Sequence, residues 1–88
     1  MTYLARPGVL WREVEGEAVL LDPASGHYFG LEGAGSALWK RLQSPATFDD
    51  LRRTVREEFD MPEKAVEPDI EEFLRALCDA GLCDETPR

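Results

Sequence analysis

VLLDPASGHYFGLEGAGSALW, the run from Val19 to Trp39, decides the fold: an apolar strand, a tight turn and a second strand lead straight into an amphipathic helix. Asp22-Pro23-Ala24-Ser25-Gly26 carries the turn. Asp can bond its own backbone two residues on, Pro presets φ at the second position, and Gly accepts positive φ. In the strand that follows, His27 to Leu31, period-two alternation puts His27, Phe29 and Leu31 on one face and Tyr28 and Gly30 on the other. The order predicts a small sheet whose last strand is left open beside a helix. Such an edge is a docking slot for an extended peptide, because its unpaired N–H and C=O groups template another strand.

Upstream, Val9 to Val14 (VLWREV), a Glu15-Gly16 turn and the compact strand Ala18 to Leu21 read as a hairpin, with its second strand central in the sheet. Downstream, Glu32 to Gly35 forms a joint. Ser36 to Leu42 then carries helical spacing, with Leu38, Trp39 and Leu42 on one stripe, and Ser44-Pro45 ends it. Thr47 and Asp50 resemble a capping box, with Asp in the usual Glu/Gln place. It opens a second helix with Leu51, Val55 and Phe59 at four-residue intervals, running to about Phe59.

Asp60-Met61-Pro62 breaks the chain, and Pro62 suits the first residue of a helical turn. Pro68 lacks an N–H and clashes with the carbonyl four residues back. The segment is therefore either a short turn followed by a main helix starting near Pro68, or one helix kinked there. Glu67-Pro68-Asp69 favours the first, since Pro and acidic residues suit a helix N-terminus. Ile70, Phe73, Leu74 and Leu77 make a clear apolar stripe, Gly81 suits a left-handed cap, Leu82 folds back, and Asp84 to Arg88 reads as a frayed tail. The whole is α+β and winged helix-turn-helix-like: a three-stranded antiparallel sheet followed by three helices. Phe29, Trp39, Phe59 and Phe73 match the apolar stripes and are assigned to the core. Tyr28 faces away, covering the outer side of the sheet or lining a partner's path.

Eighty-eight residues make one domain, 1–88, with its core within about 9–82. At this size roughly 60–65% of the unfolded chain's surface can be buried. Hydrophobic residues at 43% and charged residues at 32% fit a globular rather than a disordered chain. The N-terminus MTYLARPG lacks the hydrophobic region of a signal peptide and no apolar run is long enough to span a bilayer, so the expected compartment is the cytoplasm, away from membranes. A net charge of −8, from 18 acidic and 10 basic residues, makes nucleic acid a poor partner, because phosphate binding needs clustered Lys/Arg. Arg52, Arg53 and Arg56 do cluster, but Asp49, Asp50, Glu57 and Glu58 offset them.

Cys78, Cys83 and the lone His27 do not make a metal set, since structural zinc usually takes four Cys/His ligands. Both cysteines read as small apolar fillers. Catalysis has little support. His27 lies near no recognisable nucleophile, the carboxylates sit on solvated helix faces, and Gly30, Gly33 and Gly35 do not form a phosphate loop. The chain is read as a non-enzyme with no cofactor.

The run Gly16 to Asp22, the Ser25-Gly26-His27-Tyr28-Phe29-Gly30-Leu31 segment, Gly35-Ser36 with Trp39, Thr47 with Leu51, Asp69-Ile70 with Phe73-Leu74, Leu77 and Gly81-Leu82 together resemble the PqqD-like family. The likeness covers about Val9 to Leu82. Members are RiPP recognition elements, which bind the leader region of a ribosomally made precursor peptide and present it to modifying enzymes. The D-x-x-S-G-x-Y-F turn and the G-S-x-x-W helix start look most like the standalone leader-binding proteins of lasso-peptide biosynthesis. Pyrroloquinoline-quinone pathway members usually carry a P-E-G type turn and a cysteine-containing D-G stretch where this chain has Gln43-Ser44-Pro45-Ala46-Thr47.

The resemblance implies that a leader pairs antiparallel with the third predicted strand and lies in the groove between it and the third helix. His27, Tyr28, Phe29, Gly30 and Leu31 would supply the main-chain ladder, with Gly30 allowing close approach. Phe73 and Leu77 would share duty between core and groove floor. Asp69, Glu72 and Ala76 would form the rim, Ala76 leaving space and the two acids offering charge to a basic leader residue. For Asp69 and Glu72 an ordinary solvated face is the equal alternative. The implied partners are the leader and a leader peptidase or other modifying enzyme. The alternatives are a PqqD-type peptide chaperone of pyrroloquinoline-quinone or another RiPP pathway, and a winged-helix nucleic-acid binder.

Overall fold

The computed structural model describes residues 1–59 and 63–87, with side chains described for 1–58 and 69–87. The elements run β1 (Thr2–Ala5), β2 (Leu10–Val14), β3 (Glu17–Asp22), β4 (His27–Leu31), α1 (Ala34–Arg41), β5 (Ala46–Thr47), α2 (Phe48–Phe59), α3 (Glu63–Asp79) and β6 (Cys83–Thr86). The α+β architecture follows the expectation: an antiparallel sheet of order β2-β3-β4 precedes three helices. The strand read as the third is β4, because one strand precedes the hairpin.

Local chemistry builds this sheet as its residues require. Glu15 and Gly16 both take positive φ, closing the β2-β3 hairpin in two residues. In the second turn the Asp22 carboxylate accepts from the Ala24 N–H at 3.1 Å and the Ser25 hydroxyl at 2.9 Å, while the Gly26 N–H donates to the Asp22 carbonyl at 2.8 Å. Gly26 sits at φ 77, where a side chain would be strained. The register pairs Trp11 with Leu20 and Leu20 with Phe29 on the inner face, against α1. It pairs Leu10 with Leu21 and Leu21 with Tyr28 on the outer face.

A second antiparallel sheet, of order β5-β1-β6, is absent from the sequence reading. It corrects the frayed tail: Cys83–Thr86 is a strand, running alongside β1 from Thr2↔Thr86 to Ala5↔Cys83. Its cause is long-range. Neither strand carries strong alternation, and each becomes a strand only because the chain's two ends lie side by side. The Arg6 guanidinium reaches Asp84 at 2.9 Å, and the backbone N–H of Arg6 donates to Leu82 at 3.0 Å.

Pro68 requires a second correction, since the helix is continuous from Glu63 to Asp79 and does not start near Pro68. Pro68 lies near the beginning of a 17-residue helix, so the one backbone bond it forfeits leaves most of the ladder intact. The expected break at Asp60-Met61-Pro62 and the core role of the Phe59 side chain lie outside the described residues. At the far end, Leu82 N–H donates to the Leu77 carbonyl at 2.9 Å and Gly81 N–H to Cys78 at 3.1 Å, with Gly81 at φ 76. This Schellman pattern satisfies the last carbonyls and turns the chain into β6.

The core joins both sheets and all three helices through Ala18 and Leu20, Leu38, Trp39 and Leu42, Leu51 and Val55, and Ile70, Leu74 and Leu77, and it also takes in Ala5 and Cys83. Trp39 is fully buried at its centre, edge-on to Trp11 with ring centroids 6.4 Å apart.

The capping box forms as expected. The Thr47 backbone N–H donates to the Asp50 carboxylate at 3.0 Å, and the Asp50 N–H donates to the Thr47 hydroxyl at 3.1 Å. That backbone bond, with the Thr47 hydroxyl and the Arg41 and Arg53 guanidinium groups adding to it, holds Asp50 below the usual carboxylate range despite partial desolvation. A depressed folded-state pKa contributes stability above the unfolded value of about 3.9 and loses it as pH falls through the folded value. Thr47→Ala should therefore cost about 1 kcal/mol at neutral pH. Asp50→Asn should flatten the acid limb of a melting-temperature profile taken from pH 5 downward, the measurement that checks both.

Candidate functional site

Strand β4 is the edge of its sheet: it pairs with β3 on one side, and among the described residues no strand pairs with the other. Phe29 and Leu31 lean inward, partly buried against the core, and the exposed His27 ring stands edge-on to Phe29 at 6.4 Å. Tyr28 points outward and is 72% exposed. Gly30 also faces outward, and a Cβ built there meets nothing within 4 Å. The strand thus offers a peptide backbone on its open side with little side-chain obstruction near its C-terminal end.

The end of β4 meets α3 over the first turn of α1. A Cβ built on Gly35 would lie 3.4 Å from Cε1 of Phe73 and 3.7 Å from Cβ of Leu31. The strand end and the third helix therefore meet at Gly35, where a Cβ would make ordinary van der Waals contact with both and only a side chain reaching beyond Cβ would have to displace one of them. Beside this junction is a hollow of about 240 Å³ lined by Ala34, Gly35, Leu38, Val55, Ile70 and Phe73, with the Asp69 carboxylate as its charged group. An apolar hollow next to an open strand edge accepts a side chain from whatever pairs with the edge.

The structure brings some of the candidate residues together and separates others. Leu31 and Phe73 meet at Gly35, and Asp69 and Phe73 share the hollow. Glu72 and Ala76 are exposed, and their spacing puts them on the same flank of α3 as Asp69 and Phe73. Leu77 is buried, 4% exposed, among the core residues. His27 and Tyr28 line no part of the hollow. Ala34, Gly35, Leu38, Val55 and Ile70 line the hollow without having been expected at the site. Gly35 stands beside the first buried helix stripe, where its small size keeps the junction of Leu31 and Phe73 uncrowded.

Elsewhere the surface offers less. Arg52 pairs with Asp49 and lies 5.6 Å over the Phe48 ring, while Arg53 lies 3.6 Å from Asp50. Arg52 and Arg53 are thus engaged by their own helix rather than forming a phosphate track. Cys83 is buried and its thiol is pushed up to about 12, mainly by desolvation with the neighbouring Cys78 adding to it. The desolvated Cys78 thiol is also raised. Thiols held protonated in this way are poor nucleophiles and act as packing. No group of three metal-ligating side chains occurs among the described residues, and no described helix is long and apolar enough to cross a membrane.

Comparison with known proteins gives three findings. A family model described as coenzyme PQQ synthesis protein D (PqqD) matches residues 17–82. The solved structure of TbiB1 in complex with the TbiA(beta) leader peptide is 28% identical and superposes with a TM-score of 0.85, over 97% of this chain and 99% of that one. A lasso peptide synthetase B1 complexed with the leader peptide is 23% identical, with a TM-score of 0.80 over 94% of this chain and 98% of that one, a likeness of fold. No curated protein matches.

Proposed function

The chain belongs to the PqqD family, and on that premise we propose that it is a single-domain, non-catalytic peptide binder. It captures the leader region of a ribosomally synthesised precursor by strand addition to β4, in the groove against α3, and delivers it to a leader peptidase or other modifying enzyme in the cytoplasm. The observation that carries the reading is the open β4 edge converging with Phe73 on Gly35, beside an apolar hollow. TbiB1, similar over nearly its whole length, is itself a leader-peptide complex. The D-x-x-S-G-x-Y-F turn and the G-S-x-x-W helix start support a lasso-peptide pathway.

The energetics are adequate. Each ladder bond contributes about 0.5–1.5 kcal/mol net, and each buried leader side chain about 1.5–3 kcal/mol. Ordering a flexible leader opposes these gains, so affinity in the nanomolar to micromolar range is expected. The site residues divide accordingly. His27 to Leu31 act through their main chain, Phe73 and the hollow take an apolar side chain, and Asp69 and Glu72 attract a basic one.

Hydrogen exchange with and without the synthetic leader of a precursor from the same biosynthetic pathway tests the proposal. Slowed exchange at His27 to Leu31, with α2 unchanged, is the expected outcome. A leader that binds without protecting those amides would remove strand addition from the mechanism.

A further inference from the structure

A second groove, of about 490 Å³, lies between α3 and the β5-β1-β6 sheet. Glu71, Leu74, Arg75 and Cys78 recur at three- and four-residue spacing and form its helix wall. Helical geometry sets 71, 75 and 78 about half a turn away from 69, 73 and 76, so this wall is the opposite flank of α3 from the one assigned to the leader. Tyr3 and Glu85, partners in the β1-β6 register, form the sheet wall, and Phe48 closes the groove from α2. The floor is apolar and incompletely covered, because Tyr3, Phe48 and Cys78 are only partly buried over Leu74.

Around that floor the exposed carboxylates of Glu71, Asp79 and Glu85 stand against the single guanidinium of Arg75. Their field reaches inward. Partial burial raises the Tyr3 hydroxyl above the ordinary phenol range, and Glu85 and Glu71 add to the shift. Desolvation raises the Cys78 thiol, with Glu85 and Asp79 acting in the same direction. An apolar floor inside a negative rim suits a group that carries positive charge on an apolar body.

We propose that this groove docks a basic segment of a partner protein, with one apolar side chain on the floor and flanking Lys or Arg side chains against the three carboxylates. Charge complementarity selects that occupant. A second copy of the chain, at net −8, would bring like charge against like charge. The two grooves use different flanks of one helix, so the partner binds whether the leader groove is filled or empty, and the proposal goes beyond the strand-addition reading. A groove of this size takes a short segment. The contact therefore falls below the roughly 1,200–2,000 Å² of a stable interface and is a transient one.

The test titrates the full, isotope-labelled chain with an acetylated and amidated peptide alternating Lys and Leu, and follows amide shifts by NMR. Shifts are expected at Tyr3, Cys78 and Glu85 and not at His27 to Leu31. Glu71→Lys with Glu85→Lys should lower the affinity about ten-fold or more, and Glu71→Gln with Glu85→Gln serves if the first pair folds poorly. Glu17→Lys with Glu57→Lys makes the same change in net charge away from the groove and should lower it far less. Equal losses in the two Lys pairs overturn the proposal, because they report overall charge rather than a site. So does unchanged affinity in folded groove variants, or equal binding of a peptide alternating Glu and Leu. Spermidine binding as tightly as the Lys-Leu peptide would make the groove a small-cation site, and a wild-type dimer in sedimentation that the groove variants abolish would make it a self-contact; either overturns it. Displacement of the peptide by a saturating leader overturns the separation of the two grooves. Absence of leader binding in the wild type defeats peptide capture by β4 instead, a failure read independently of the peptide titration.

Discussion

Ala76→Trp should weaken leader binding by about ten-fold or more, equivalent to about 1.4 kcal/mol, in a protein that remains folded. Ala76 is exposed on α3 and shares a flank with Asp69 and Phe73, the two α3 residues of that flank that line the hollow. Helical residues three and four apart stand next to one another, so an indole at 76 projects over the neighbourhood of Phe73. It would occupy the space a leader backbone needs between α3 and β4. The change buries no new group in the core, and the helix-propensity penalty of Trp against Ala is only a few tenths of a kcal/mol up to about 0.7 kcal/mol. Fluorescence polarisation with a labelled leader, alongside circular dichroism, measures both parts. Full affinity in a folded Ala76→Trp protein would move the leader to another surface.

The largest effect on stability is expected from Trp39→Ala. Trp39 is fully buried, edge-on to Trp11 and in the cluster that joins both sheets and all three helices. Truncating a buried aromatic costs about 3–5 kcal/mol, against a total of roughly 4–13 kcal/mol for a domain of this length. The Trp39 indole N–H has no partner among the described residues, so its removal also relieves an unpaired buried donor and pulls the cost toward the lower end. A melting temperature lower by roughly 15 °C or more is the expected reading. Trp11→Ala should cost distinctly less, because Trp11 is already 36% exposed. Equal losses at the two positions would mean that the core is organised differently around α1.

The two variants probe different levels of organisation. Trp39 belongs to a stripe visible from spacing, and the turns on either side of β3 were equally legible, because Asp22, Ser25 and Gly26 act on their own neighbours within a few residues. The Thr47–Asp50 capping box was legible for the same reason. The second sheet was not. Thr2 lies opposite Thr86, and such a pairing leaves no local pattern in either segment. Pro68 misled for the opposite reason, since a strong local signal was overridden by the continuous helix around it.

From its residues alone the Val19 to Trp39 run specified strand, turn, strand and helix, and so specified that an edge strand would precede α1. Those choices depend on backbone preferences and side-chain reach over a few residues. The meeting of that edge with α3 depended on the tertiary structure: Leu31 and Phe73, more than forty positions apart in the numbering, converge where Gly35 leaves room for both. The outer apolar face likewise exists only once the register sets Leu10, Leu21 and Tyr28 side by side. A groove and a surface are relations between elements distant in sequence, and packing brings those elements together.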